Sequence, residues 1–149
     1  MTFDYLCPFA RNAFEAIAAG IEAGRDWQVR SIPFSLSHAH VPEGETPAWD
    51  RVPGDKYTSG VLALQWGIAV RDNFPERLTA FHLAAFAARH DDARNIKDPA
   101  VLHDVASSAQ LDAGAVAAIV DSGEPCRLLA AEHTEAVDRW RVFGVPTFI

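Results

Sequence analysis

Asp4-Tyr5-Leu6-Cys7-Pro8-Phe9-Ala10 is the stretch of sequence that decides the fold. Residues 2–6 overlap the beginning of this stretch. They are mostly apolar and predict a short β-strand. Residues 9–23 are good helix formers. Pro8 suits the first position of a helix, because the N–H that proline lacks would have no partner there. The sequence therefore places Cys7 at the cap or in the first turn of a helix.

The thiol of Cys7 is the strongest candidate for a nucleophile in the chain. Unpaired N–H groups and the positive end of the helix dipole favour an anion at a helix start. A cysteine in that position forms the reactive thiolate more readily than a free cysteine does. The alternative stays open that Cys7 is a small buried apolar residue, which is the commoner role of an unpaired cysteine.

The composition indicates one globular domain, or one domain with an insertion, in a chain of 149 residues. The net charge of −7 argues against a nucleic-acid surface, which needs clustered Lys and Arg. No apolar run approaches 18 residues, so we expect no membrane span. Met1 leads almost directly into the first strand, which predicts no signal peptide. The two cysteines form no disulfide framework, and we expect a cytoplasmic protein.

A second strand is predicted over residues 27–36, with a change of phase at Pro33 that indicates a bulge or an edge. Strand, helix and strand in this order form a βαβ unit with parallel strands. The stretch Ser37 to Asp55 is rich in proline and glycine and is predicted to be a loop. His38 and His40 form an H-x-H pair within it, but no third ligand lies nearby, so we predict a solvated loop and no metal site.

From Tyr57 to Arg141 the pattern predicts helices almost throughout. Five are expected: one ending near Phe74, one from Pro75 to about His90, one from Asp98-Pro99, one from Asp112 to Gly123, and one from Glu124-Pro125. The single histidines on these helices are interpreted as ordinary surface or core residues (His82, His90, His103 and His133). Cys126 is interpreted as a buried apolar contact.

The end of the chain, Gly144-Val145-Pro146-Thr147-Phe148, predicts a turn that leads into a strand. Proline is tolerated at the first residue of a strand. A cis bond between Val145 and Pro146 would be a specific structural feature, since cis is uncommon even before proline.

The opening stretch, the helices and the closing Gly-Val-Pro-Thr-Phe together resemble the DsbA family of thioredoxin-like proteins over essentially the whole chain. Relatives in that family include FrnE-like proteins, 2-hydroxychromene-2-carboxylate isomerases and kappa-class glutathione transferases. The resemblance implies an α/β fold with a thioredoxin-like βαβ core at residues 1–54 and a large all-α insertion at 55–142. The cis-proline loop and the start of a third core strand would occupy 143–149.

The same resemblance implies that Cys7 is the catalytic nucleophile and that Pro8, Phe9, Val145 and Pro146 contact the substrate. The family's oxidoreductases carry Cys-x-x-Cys, whereas this chain has Ala10 in place of the second cysteine. A mixed disulfide on Cys7 would therefore lack an adjacent resolving thiol. This favours a monothiol enzyme with no bound cofactor, resolved by a low-molecular-weight thiol or by Cys126.

The resemblance also implies a further strand and helix after the cis-proline strand, but this sequence stops at Ile149. Either the sequence is a fragment of a longer protein or the last strand is left as an apolar edge, and an exposed edge invites pairing with another chain. We therefore expect self-association through the C-terminal strand.

Three functions are compatible with these residues. The first is a thiol-based oxidoreductase that attacks a disulfide or thiol-conjugated substrate, either a protein or a small molecule. The second is a glutathione-dependent isomerase or transferase of the 2-hydroxychromene-2-carboxylate isomerase type, with an apolar pocket over Cys7 lined by Phe9, Trp49 and Trp66. The third is a redox-inactive thioredoxin-like binding protein. The substrate and the direction of electron flow stay open.

Overall fold

The computed structural model describes residues 1–149, in two short strands and seven helices. In chain order they are β1 (Thr2–Phe3), α1 (Pro8–Glu22), β2 (Ile32–Pro33), α2 (Leu36–Ala39), α3 (Val61–Asn73), α4 (Leu78–His90), α5 (Pro99–Ser108), α6 (Ala113–Asp121) and α7 (Glu124–Trp140). Two 3₁₀ turns lie at Ala48–Asp50 and Pro75–Arg77. No helix has both the length and the apolar character needed to cross a membrane.

Strand β1 lies at the centre of a small sheet. It pairs in parallel with β2, Thr2 opposite Ile32 and Phe3 opposite Pro33, so the first 33 residues form the expected βαβ unit. On its other side, the N–H of Thr2 donates to the carbonyl of Thr147 at 2.8 Å, in an isolated antiparallel bridge. The two ends of the chain are therefore joined by one backbone hydrogen bond, and the N–H of Thr147 also donates to the Thr2 hydroxyl at 3.0 Å.

The prediction that the first strand extends to Leu6 is wrong, because Asp4 turns the chain. The Asp4 side chain accepts a hydrogen bond from the N–H of Leu6 at 2.9 Å, and its carbonyl accepts one from the N–H of Cys7 at 3.0 Å. These local bonds replace strand pairing, a common role of aspartate before a turn. The chain consequently enters α1 immediately after β1.

The prediction of a strand over residues 27–36 is wrong except at Ile32–Pro33. The ring of Trp27 packs on Gly20 of α1, where any side chain would collide with it. Residues 27–30 have no partner strand, so their apolar alternation reflects packing and exposure rather than sheet pairing. At the other end, the hydroxyl of Ser35 accepts the N–H of His38 and caps α2.

The stretch from Ser37 to Asp55 is also not a plain loop. It begins within α2 and contains the 3₁₀ turn Ala48–Asp50, so it brings His38 and Trp49 to fixed positions.

The later helices begin close to the residues that the sequence indicates. The carboxylates of Asp98 and Asp112 cap α5 and α6 by accepting N–H bonds from Ala100 and Ala115. Gly123 has φ +77° between α6 and α7, a conformation that favours glycine. The second predicted helix starts three residues late, because the turn after Pro75 is a 3₁₀ turn and α4 begins only at Leu78.

The main apolar core joins β1 to the helices. At its centre the Tyr5 hydroxyl lies 2.7 Å from Nδ1 of His82, among the rings of Phe3, Phe14 and Phe86. Because β1, α1 and the helices α3–α7 all contribute to this core, the helical region packs directly on the βαβ unit. The division into residues 1–54, 55–142 and 143–149 stays a prediction.

Candidate functional site

Cys7 is the residue that caps the start of α1. Its backbone is extended, with φ −95° and ψ 115°, while its carbonyl already accepts the N–H of Arg11 at 3.2 Å. Pro8 occupies the first helical position. The residue is 7% exposed, so the surrounding protein covers most of its surface.

The thiol of Cys7 contacts the segment that precedes the last strand. Its S–H donates to the carbonyl oxygen of Val145 at 3.3 Å. The Val145–Pro146 peptide bond is cis, and the next residue, Thr147, is held against Thr2 by the backbone bridge. The N–H of Val145 makes no hydrogen bond within the chain. The segment therefore offers one free backbone donor beside the sulfur.

The residues that follow Cys7 differ in exposure. Pro8 is exposed and Phe9 is 69% exposed, whereas Ala10 is fully buried. A large apolar ring that points outward next to a thiol is available for contact with another molecule. The methyl group of Ala10 lies inside the core, at the position that the second cysteine takes in the Cys-x-x-Cys pattern.

Asp4 is a further residue of this region, and the sequence alone predicts no role for it. Its two carboxylate oxygens accept hydrogen bonds from the N–H of Leu6 and from the N–H of Leu36, at 2.9 and 2.8 Å. Complete burial raises the pKa of Asp4 to about 6, although both hydrogen bonds act in the opposite direction. Asp4 thus ties the turn before Cys7 to the start of α2.

Cys126 lies in the first turn of α7. Both cysteines are free, and the Cys126 thiol donates to the carbonyl oxygen of Trp49 at 3.5 Å. Burial, followed by the charge of Asp50, raises the pKa of Cys126. Its thiol therefore forms the nucleophilic thiolate less readily than an exposed cysteine would.

A second cluster, of histidine and aromatic rings, lies where β2, α2 and α7 meet. The His38 ring is centred 4.0 Å from that of Trp49 and 4.9 Å from that of His133, which in turn lies 4.4 Å from Phe34. No spacing rule connects His38 with His133, because 95 positions separate them in the sequence. Nowhere does the structure group three residues of the types that bind metals.

Of the residues predicted from the sequence, the structure brings Cys7 and Val145 into contact. It does not gather the three rings expected in a pocket over Cys7. Trp66 is buried in α3 against His103, Trp49 packs on His38, and Phe9 is exposed. None of the five main cavities is lined by Cys7, Phe9 or Trp66.

A parallel βαβ unit whose helix starts at a cysteine, with a cis-proline segment crossing in front of it, places the chain among the thioredoxin-like proteins. The model of the DSBA-like thioredoxin domain matches residues 1–149, and the chain belongs to that family. The resemblance drawn from the two ends of the sequence is thereby confirmed. Members of this family are in general thiol oxidoreductases or isomerases. No curated protein matches the chain.

Proposed function

We propose that the protein is a monothiol oxidoreductase in which Cys7 is the single nucleophile. The contact between the Cys7 sulfur and the Val145 carbonyl carries this proposal, because it sets a thiol at a helix start beside an accessible backbone segment. The unpaired N–H groups of the first turn of α1 stabilise negative charge on the sulfur.

In the first step the Cys7 thiolate attacks one sulfur of a substrate disulfide. A new bond forms between that sulfur and Cys7, the substrate S–S bond breaks, and the other sulfur leaves as a thiolate. In the second step an external low-molecular-weight thiolate attacks the substrate sulfur of the mixed disulfide. Cys7 leaves as a thiolate, and the substrate sulfur is now joined to the external thiol. The two steps exchange one disulfide for another with no net oxidant.

The external thiol is needed because residue 10 cannot supply the second sulfur. Ala10 is fully buried in the first turn of α1, and the thiol of Cys126 is engaged with the Trp49 carbonyl on a different part of the chain. We infer that resolution comes from solution, with glutathione-type thiols as the co-substrate class.

The Val145–Pro146 segment would align the substrate. The free N–H and the carbonyl of Val145 are suited to pair with the extended backbone of a peptide or of a peptide-like thiol. Once the Cys7 sulfur ionises it has no proton to donate, so the Val145 carbonyl would have to accept a hydrogen bond from another donor. Pro8 and Phe9 would form the other wall, because both are exposed.

The test is the release of peptide thiol from a glutathionylated peptide in the presence of reduced glutathione. We expect turnover by the native chain and by Cys126→Ser, and only the uncatalysed rate with Cys7→Ser. Without reduced glutathione, the native chain should release one peptide thiol and keep a glutathione adduct on Cys7, whereas Ala10→Cys should release that adduct as glutathione and accumulate an internal disulfide. Turnover that survives Cys7→Ser, or that disappears in Cys126→Ser while that variant stays folded, contradicts the proposal. Glutathione-dependent isomerisation of an aromatic substrate by Cys7→Ser would favour the isomerase alternative.

A further inference from the structure

A cavity of about 450 Å³ lies beside the segment that carries Val145, between α2 and the end of α7. Its wall includes Phe34, His38, His133, Asp138, Val142 and Phe143. Phe34 and Val142 are buried and form an apolar cluster against which Val145 packs. Phe143 is 95% exposed at the rim. The cavity is thus open on one side and apolar on the other.

Two imidazole rings in its wall are held in one tautomer. The backbone N–H of Ser35 donates to Nδ1 of His133 at 3.1 Å, and that of Ala48 donates to Nδ1 of His38 at 3.4 Å. Because a backbone N–H can only donate, each Nδ1 carries a lone pair, and the ring proton of a neutral imidazole is then on Nε2. Burial lowers the pKa of His133 to about 4 and also lowers the pKa of His38, so both rings are neutral at pH 7.

Neither Nε2 atom of this pair has a hydrogen-bond partner within the chain. The one fully buried side-chain nitrogen or oxygen without a partner is Nε2 of His82, in the central core. Nε2 of His133 also lacks a partner but is not fully buried in the way that Nε2 of His82 is, so it is accessible. The cavity is the space that the His133 ring borders. The cavity wall therefore presents an oriented N–H donor that no group of the protein uses.

The charge of the lining selects a neutral ligand over an anion. Asp138 is its only charged side chain, and no lysine or arginine lines the cavity. A carboxylate would meet the Asp138 charge with no cation to offset it, whereas a neutral carbonyl oxygen needs only a donor. The phenylalanine and valine side chains favour an apolar body next to that oxygen.

We propose that this cavity binds a neutral carbonyl compound, an amide or ketone with an aromatic or branched apolar body. Its oxygen accepts a hydrogen bond from Nε2–H of His133, with His38 as a second donor, and its body packs on Phe34, Val142 and Phe143. The site requires no thiol chemistry, so it stands or falls separately from the role of Cys7.

The experiment is a titration of the full chain, labelled with ¹⁵N in its histidines, with N-acetyl-phenylalanine N-methylamide. Binding should shift the Nε2–H resonance of His133 and leave that of His103, on α5, unchanged. The matched anion N-acetyl-phenylalanine should bind more weakly. The absence of a His133 shift, or tighter binding of the anion, would overturn the proposal.

Three variants separate recognition from folding. His133→Asn retains an amide oxygen that can accept the Ser35 N–H, but it removes the Nε2–H donor. We expect it to weaken binding of the amide about fivefold, the effect of one hydrogen bond. Phe143→Ala should weaken binding several-fold without loss of stability, because the ring is exposed. Phe148→Ala, equally a surface phenylalanine but outside this cavity, is the control and should bind normally. Unchanged affinity in both His133→Asn and Phe143→Ala would overturn the site.

Discussion

The sulfur of Cys7 lies 3.3 Å from the carbonyl oxygen of Val145, although 138 positions separate the two residues. The contact forms because β1 is paired on both sides. The turn between β1 and α1 is bonded through Asp4 to the N–H of Leu36, just after β2, and the bridge from Thr2 to Thr147 positions the cis-proline segment. The candidate site is therefore built where three distant parts of the chain meet at one strand.

The stability of the protein should rise with pH between about pH 4 and 6. Burial raises the pKa of Asp4 to about 6, so its stabilising contribution is complete below 3.8 and is lost as the pH rises through 6. Burial lowers the pKa of His82 to about 3 and that of His133 to about 4, so their contributions are complete above 6.5 and are lost as the pH falls. Across these three groups, unfolding in this window takes up two protons and releases one, which gives a slope of about 1.4 kcal/mol per pH unit, and His38, whose pKa burial also lowers, adds to the slope in the same direction.

Urea denaturation at several pH values measures that slope. Asp4→Asn removes the group that releases a proton on unfolding. The slope of the free energy of unfolding against pH should then be roughly twice as steep over the same range. A free energy of unfolding that falls as the pH rises from 4 to 6 would contradict the assignment of neutral histidines.

The buried pair formed by Tyr5 and His82 should show strong coupling in a double-mutant cycle. Tyr5→Phe leaves the imidazole of His82 with no partner on either nitrogen, and His82→Phe leaves the Tyr5 hydroxyl unpaired. Each single change should lower the free energy of unfolding by about 1–3 kcal/mol. The double variant should lose less than the sum, since it leaves neither group unsatisfied. Additive losses would show that the hydrogen bond contributes nothing.

The ion pair between Arg71 of α3 and Glu132 of α7 should contribute more to the free energy of unfolding than the ion pairs on the surface. Both side chains are largely buried, and the guanidinium donates twice to the carboxylate, at 2.7 and 2.8 Å. Glu132→Gln should lower the free energy of unfolding by about 2 kcal/mol, because it removes the buried carboxylate from Arg71 and leaves this guanidinium with the more exposed Asp72 as its charged partner. The matched control Glu135→Gln breaks an exposed pair with Arg139 and should cost under about 0.5 kcal/mol. Equal effects in thermal or urea denaturation would refute this ranking.

Self-association should occur through the face that carries Phe148. Exposed apolar side chains are concentrated there, with Trp27 50%, Phe148 66% and Ile149 55% exposed, and Trp27 and Phe148 line one apolar cavity. An exposed apolar surface of this kind favours association. Light scattering should show a mass that grows with concentration and that Phe148→Glu reduces. Val52→Glu, at another exposed apolar residue, is the control and should have no effect. A monomer at every concentration would contradict the prediction.

The sequence predicts the parts of this fold that depend on local chemistry. Pro8, Asp98 and Asp112 mark helix starts because capping and proline geometry act within one turn. The length of the second strand could not be predicted in the same way. Trp27 alternates with polar residues as a strand would, but its ring packs on Gly20 of α1, and no local rule contains that contact.

The residues of the candidate site also divide into those that local chemistry predicts and those that depend on tertiary contacts. Cys7 is identifiable because a cysteine followed by proline at a helix start has a local physical meaning. The pairing of His38 with His133 depends on the docking of α7 against α2, which only the tertiary structure reveals. Asp4 is a middle case, since its turn is local but its bond to the N–H of Leu36 is not.

The most direct test of the central claim is site-resolved mass spectrometry after brief exposure of the native chain to glutathione disulfide at neutral pH. The two thiols serve as internal controls for each other. Cys7 lies at the start of α1, and burial raises the pKa of Cys126. The account predicts one glutathione adduct per chain, on Cys7, formed faster than any adduct on Cys126 and removed by reduced glutathione. An adduct that forms first on Cys126, or no adduct on Cys7 in the folded protein, would contradict it.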